Sequence, residues 1–83
     1  MAKEIIISAL GERGELRKDE ELALILKKRL TKKELYALNS KAISADKNDV
    51  LSKLNVDDAR FEELIASALK KLKNESVHRE FYN

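Results

Sequence analysis

The side chains that could carry out acid–base chemistry in this chain are mainly carboxylates: aspartate and glutamate together number 15. There is a single histidine, His78, and no cysteine. Some carboxylates occur in adjacent pairs, such as Asp57 with Asp58 and Glu62 with Glu63, but neighbouring residues on a helix point in different directions. Catalysis requires titratable groups that converge in a pocket. The pattern therefore predicts a charged surface, a solvated His78 and a protein that is not an enzyme.

The sequence also lacks the motifs that bind cofactors and metals. The segment 11–14, Gly-Glu-Arg-Gly, does not have the spacing of a phosphate-binding loop. No metal-ligand spacing is present, and the lack of cysteine excludes disulfides and zinc–thiolate sites. We therefore expect no metal, no cofactor and no small-molecule substrate.

Lysine and arginine are the other side chains with a potential role, because they can bind phosphate. They concentrate in the segments 27–33 and 70–73. The net charge is only +2, whereas a DNA-binding domain usually has a strong basic excess. Basic residues near the end of a helix also complement its dipole. Each segment is consistent either with a solvated helix face or with phosphate contacts.

The composition predicts one small all-α domain, a bundle of four or five helices that must position these groups. The chain has 83 residues, no proline and two glycines, with 39% charged and 43% apolar residues, which suits amphipathic helices. The longest apolar run, Ile5-Ile6-Ile7, is too short to span a bilayer. We expect a soluble, cytoplasmic protein that does not enter a membrane.

Residues 1–30 form the N-terminal part of the predicted domain. The segment 3–10 has strand propensity from its three isoleucines, but its spacing also suits a short helix. A helix, or an arm that pairs only in a dimer, is the preferred interpretation. After the break at 11–14, a helix is predicted over 16–30. Its apolar surface is wider than one buried face needs, which indicates a possible homodimer.

The segment 31–73 contains the clearest helix signals. Thr31 and Glu34 have the spacing of a capping box, and a short helix follows at about 47–54. Asn55 suits a left-handed turn, and Asp57 is a good N-cap. The last helix carries the most regular apolar stripe in the chain, Phe61, Leu64, Ile65, Ala68, Leu69 and Leu72. The remaining residues, 74–83, are predicted to be a frayed tail.

The order of these signals resembles that of a known DNA-binding motif. The corresponding pieces are Leu30-Thr31, Glu34, Leu38, Ser44, Asp49-Val50, Leu54-Asn55-Val56, Ala66 and Ala68-Leu69-Lys70-Lys71-Leu72. On these pieces, residues 30–73 resemble region 4 of bacterial sigma-70 factors and the related LuxR-type helix-turn-helix domain. The resemblance implies a helix-turn-helix corner near 47–73 and a role in transcription regulation through DNA binding. It places Lys32, Lys33, Lys47 and Lys53 near phosphate, and Arg60, Glu63 and Ser67 near bases.

The agreement is mainly at packing positions, and the differences are on the face that would meet DNA. The family usually has basic or amide side chains where this chain has Asp58, Glu62 and Glu63. With Asp57, these carboxylates would oppose the approach of phosphate. The alternative hypothesis is therefore a small protein–protein interaction module that binds a basic partner, such as a component of the transcription machinery, through its acidic helix and does not bind DNA.

Overall fold

The computed structural model describes residues 2–11 and 14–82. These residues form six α-helices: α1 (Ala2–Leu10), α2 (Asp19–Arg29), α3 (Lys32–Ala42), α4 (Lys47–Leu54), α5 (Asp58–Lys73) and α6 (Glu75–His78). A 3₁₀ turn, Arg79–Phe81, completes the order. The described residues form no strand, which confirms the all-α class. The sixth helix lies in the segment predicted to be a tail, so the described residues form one helix more than the four or five predicted.

Local sequence explains where the central helices begin and end. The Thr31 hydroxyl accepts a hydrogen bond from the Glu34 amide, and the Glu34 carboxylate accepts one from the Thr31 amide, so the predicted capping box is confirmed. Asp46 caps α4 through the Asp49 amide. Asn55 ends α4 in the left-handed conformation, with φ of 56°, which asparagine adopts at lower cost than most residues.

The core is formed by aliphatic side chains from all of the longer helices. α3 packs extensively across α5, and α1 lies against both α2 and α3. The most completely buried large side chains are Ile6, Leu22, Leu26, Leu72 and Phe81. Tyr36 is half-buried at the edge of this core, as its position beside Leu35 predicts.

The N-terminal segment adopts the predicted helix, α1, and its first turns are buried at Ala2, Ile5 and Ile6. α2 begins at Asp19 instead of residue 16, because the preceding residues run extended beside the C-terminal segment, where Leu16 forms an isolated bridge with Tyr82. No described helix combines the length and the apolar character that crossing a bilayer requires.

The prediction of a frayed C-terminal tail is wrong. Phe81 has no solvent exposure, and its carbonyl accepts a hydrogen bond of 2.9 Å from the Arg17 amide. The Arg29 guanidinium donates to the Glu80 carboxylate at 2.8 Å, which raises the pKa of Arg29 and lowers that of Glu80. The C-terminal segment is therefore part of the core. Its Asn83 lies outside the described residues.

Candidate interaction surface

At the corner between α4 and α5, the cap and the apolar residues lie where the sequence predicts them. The two helices are separate, and the Asp57 carboxylate accepts a hydrogen bond of 2.8 Å from the Arg60 amide at the start of α5. Val56, before the cap, is half-buried, and Phe61, four residues after it, is buried. This is the residue placement of a hydrophobic staple. The corner presents the first turns of α5 to solvent.

Carboxylates dominate this exposed surface, which we call the acidic corner and define as Asp57, Asp58, Glu62 and Glu63. All four residues are exposed, and the Asp58 side chain retains 67% of its accessible area. No described lysine or arginine apart from Lys47 and Arg60 forms an ion pair with them. The acidic corner is therefore accessible to a partner.

Lys47 reaches the acidic corner from the first turn of α4. Its ammonium pairs with the Asp58 carboxylate and lies 3.5 Å from Glu62 Oε1. The hydrogen bond to Asp58 is the main reason why the pKa of Lys47 is raised. The ammonium also lies 5.7 Å from the centre of the Phe61 ring, within the range of a cation–π contact. This predicted phosphate contact is thus already engaged by two carboxylates.

Arg60 is also paired with a neighbouring carboxylate. Its guanidinium Nη1 donates to Glu63 Oε2 at 3.1 Å, one turn further along α5. Both side chains were predicted to lie near bases, but in this pair each satisfies the charge of the other. A base contact by Arg60 would require this exposed pair to separate.

Ser67 lies at a junction between α5 and α3 that sequence reasoning did not identify. Its hydroxyl donates a hydrogen bond of 2.6 Å to Glu34 Oε2. Lys71, one turn later on α5, donates to Glu34 Oε1 at 2.7 Å. The side chain predicted to contact bases therefore has its hydroxyl directed at a carboxylate within the protein.

Glu34 is the centre of this junction and is only 3% exposed. Burial is the largest single influence on its pKa and raises it. Together, however, the hydrogen bonds from Lys71, Ser67 and the Thr31 amide outweigh burial and lower the pKa to about 2. A buried carboxylate with this many donors is ionised at neutral pH. The one available signal in the sequence was the spacing of Ser67 and Lys71, four residues apart on one helix face.

The other predicted phosphate contacts lie away from this arrangement. Lys32, Lys33 and Lys53 are exposed and form no ion pair with a described residue. Lys32, on the first turn of α3, lines a cleft to which neither α4 nor α5 contributes. Lys53 lies on the last turn of α4. Among the predicted lysines, Lys47 is the one that pairs with the acidic corner.

The cleft beside Lys32 is the second feature with binding potential. It has a volume of about 600 Å³ and lies between α1, α2 and α3. Its lining is mostly apolar, with Lys27 and Lys32 as its cationic members and Asp19 as its one carboxylate. Asp19 accepts a hydrogen bond from the Lys3 amide at 3.0 Å, which is the main reason for its lowered pKa. The cleft is therefore an apolar surface with a partly basic rim.

A second cleft, of about 500 Å³, is lined by three titratable side chains, Lys73, Glu75 and His78. His78 is half-buried, with its ring centre 4.9 Å from that of Tyr82. It therefore packs against an aromatic ring, in contrast to the solvated position predicted for it. Among residues 2–11 and 14–82, no group of acidic and histidine side chains is arranged to hold a metal ion.

Comparisons with known proteins return no relative of this chain. No protein-family model matches it, and neither the curated proteins nor the solved structures contain a similar protein. The resemblance to region 4 of sigma-70 factors thus stays a prediction from the residue pattern.

Proposed function

We propose that this chain is a small helical protein–protein interaction module that binds a basic partner through its acidic corner. The observation that supports the proposal is that both cations beside the corner are already paired with its carboxylates. The corner has four carboxylates (Asp57, Asp58, Glu62 and Glu63), and only two cations (Lys47 and Arg60) of the described residues pair with them, so negative charge is in excess. This surface attracts cationic groups and repels phosphate.

Because the ion pairs of the corner are exposed, replacing one charged partner by another changes the free energy little. Pairs between exposed side chains contribute about 0–1 kcal/mol. A lysine or arginine from another protein can therefore replace Lys47 at Asp58 with little loss of stability. The favourable field also steers a basic partner during its approach, and added salt weakens this effect.

A charge-reversal experiment tests the proposal on the full chain. A fluorescent peptide rich in lysine and arginine serves as the probe, and its affinity is measured by anisotropy at low salt. We expect the double variant Asp58→Lys with Glu62→Lys to bind the peptide at least about tenfold more weakly, since two attractive groups become repulsive. The matched control is Glu4→Lys with Glu15→Lys, which changes two exposed carboxylates elsewhere.

The comparison of the corner variant with the control variant shows whether affinity depends on where the charges are changed. An equal loss in the corner and control variants would mean that total charge, and not the acidic corner, determines binding. Proteins captured from a cell extract provide a second readout. Retention of the same captured proteins by the Asp58→Lys, Glu62→Lys variant would also contradict the proposed surface.

DNA binding is the second candidate function. It is favoured by Lys32, Lys33 and Lys53, which are exposed and form no ion pair with the described residues. Such lysines provide affinity for phosphate without reading bases. The test is fluorescence anisotropy with a generic duplex at low salt. A lack of binding at concentrations of about 10–100 µM would exclude this function, because non-specific binding alone falls in this range.

A further inference from the structure

The outer surface of α2 carries three exposed side chains in one line. Glu20, Leu24 and Lys28 stand at positions i, i+4 and i+8 of the helix and are all exposed, so they follow one another along one face. We call this line the α2 stripe. Leu24 is 68% exposed, the highest value among the exposed large hydrophobic residues. Glu20 and Lys28 form no ion pair with a described residue.

Two side chains of opposite charge lie at equal distances on either side of Leu24 along the stripe. α2 runs from Asp19 to Arg29, so Leu24 is its central residue. Glu20 precedes Leu24 by one turn and Lys28 follows it by one turn, about 6 Å along the axis in each direction. A helix with this pattern is complementary to an antiparallel copy of itself.

We propose that the α2 stripe binds a second copy of this chain, with the two α2 helices antiparallel across a two-fold axis at Leu24. The axis brings the two Leu24 side chains together. It also places Glu20 of each copy opposite Lys28 of the other, which forms two equivalent ion pairs. A two-fold interface requires such a self-complementary surface. A parallel arrangement would place Glu20 against Glu20 and Lys28 against Lys28.

The surroundings of the stripe extend the apolar contact beyond Leu24. Lys27, three residues after Leu24 and therefore beside the stripe on the helix surface, lines the apolar cleft between α1, α2 and α3. The aliphatic part of Lys27 can cover apolar surface while its charge stays in water. Glu21, the neighbour of Glu20, pairs with Arg17 of its own chain at 3.4 Å. Lys28 does contribute to lowering the pKa of Glu80, through charge at a distance.

Sedimentation equilibrium of the full chain tests whether the stripe associates. We expect a weak dimer with a Kd on the order of 100 µM, because a contact centred on one pair of helices is small. Leu24→Ser should leave the protein monomeric. The matched control is Ile43→Ser, which removes another exposed hydrophobic side chain, at 58% exposure and outside α2, and should dimerise as the original chain does. A monomer up to about 1 mM, or equal dimerisation by Leu24→Ser, would overturn the proposal.

Charge exchange tests the antiparallel orientation. Glu20→Lys and Lys28→Glu should each weaken dimerisation about tenfold, because each turns two attractive pairs into repulsive ones. The double variant carrying both changes restores both pairs and should dimerise like the original chain. A double variant that stays as weak as the single variants would overturn the antiparallel geometry. The acidic corner takes no part in this interface, so failure here leaves the proposed function standing.

Discussion

α5 meets the rest of the protein through charged groups at two places, and the two differ in exposure to solvent. At its start, Asp58 and Glu62 pair with Lys47 while at least half of each side chain remains accessible. In its second half, Lys71 and Ser67 bind Glu34, which is 3% exposed. Water screens the ion pairs of Lys47 at the start of α5, but it is excluded from the Glu34 carboxylate.

This difference in exposure separates the proposed recognition surface from the site that stabilises the fold. Exposed pairs contribute little to folding, so the acidic corner can exchange partners without loss of the fold. A buried carboxylate instead depends on every donor, since removal of one partner leaves a desolvated polar group unsatisfied. Carboxylates and lysines therefore hold α3 against α5 at the Glu34 site. At the acidic corner the same residue types stay exposed to solvent.

The largest effect is expected when the buried carboxylate is removed. Glu34→Ala deprives the Thr31 amide, the Ser67 hydroxyl and the Lys71 ammonium of their common acceptor. We expect the free energy of unfolding to fall by about 3–4 kcal/mol. Urea unfolding followed by circular dichroism measures the change. Glu63→Ala, in an exposed pair, is the control and should change it by less than about 0.5 kcal/mol. Equal effects of the two substitutions would remove the distinction between the two sites.

Acid should weaken the buried site selectively. The pKa of Glu34 is lowered from 4.5 to about 2 in the folded protein, so the folded state favours the ionised carboxylate. Its contribution is complete above about pH 5 and disappears as the pH falls toward 2, and it amounts to about 2–3 kcal/mol once the exposure of Lys71 is taken into account.

This pH dependence can be isolated by comparison with Glu34→Gln. The difference in free energy of unfolding between the original chain and the variant should be constant from pH 7 to about pH 5, and then shrink as the carboxylate is protonated. Asp19 and Glu80, whose pKa values are also lowered, are present in both proteins and cancel from the difference. A difference that does not change with pH would contradict the proposed ionisation of Glu34.

Local rules account for the parts of the fold that were predicted. The capping box at Thr31, the left-handed Asn55 and the Asp57 cap each depend on residues within one turn, and the sequence contains all of the relevant information. The acidic corner was likewise predictable, because the positions of Asp58 and Glu62 on the helix follow from the apolar stripe on its opposite face.

The features that were missed join residues far apart in the chain. Glu34 is separated from Ser67 and Lys71 by more than thirty positions, and Arg17 by more than sixty from Glu80. Helical periodicity shows which face of an element is apolar, but it does not show which polar side chains of two elements will meet. For the same reason, the polar composition of residues 74–80 predicts a tail, because it does not show that Phe81 packs in the core.

A smaller effect is expected from removal of one donor at the buried site. Ser67→Ala leaves Glu34 with the Lys71 and Thr31 donors and should lower the free energy of unfolding by about 1–2 kcal/mol, between the values of a neutral hydrogen bond and of one to a charged group, because Ser67 is itself exposed. Thermal unfolding should show this as a decrease in Tm of about 4–16 °C for a domain of this size. Ser76→Ala provides a comparison, because its hydroxyl donates to Asn74 in an exposed setting. A larger loss from Ser76→Ala would show that burial does not decide the strength of these contacts.

The smallest change in stability is expected at Lys47, where the change should be seen in binding instead. Lys47→Gln removes the cation that pairs with Asp58 and lies near Glu62, and because these side chains are exposed it should lower the free energy of unfolding only slightly. It also makes the acidic corner more negative, so the basic peptide should bind about three to ten times more tightly at low salt, with the gain decreasing as salt is added. Lys18→Gln, an exposed lysine before α2, matches the change in total charge and should have little effect on affinity. If Lys47→Gln weakened binding instead, Lys47 would itself contact the partner, and the exposed pair would be part of the recognition surface in its own right.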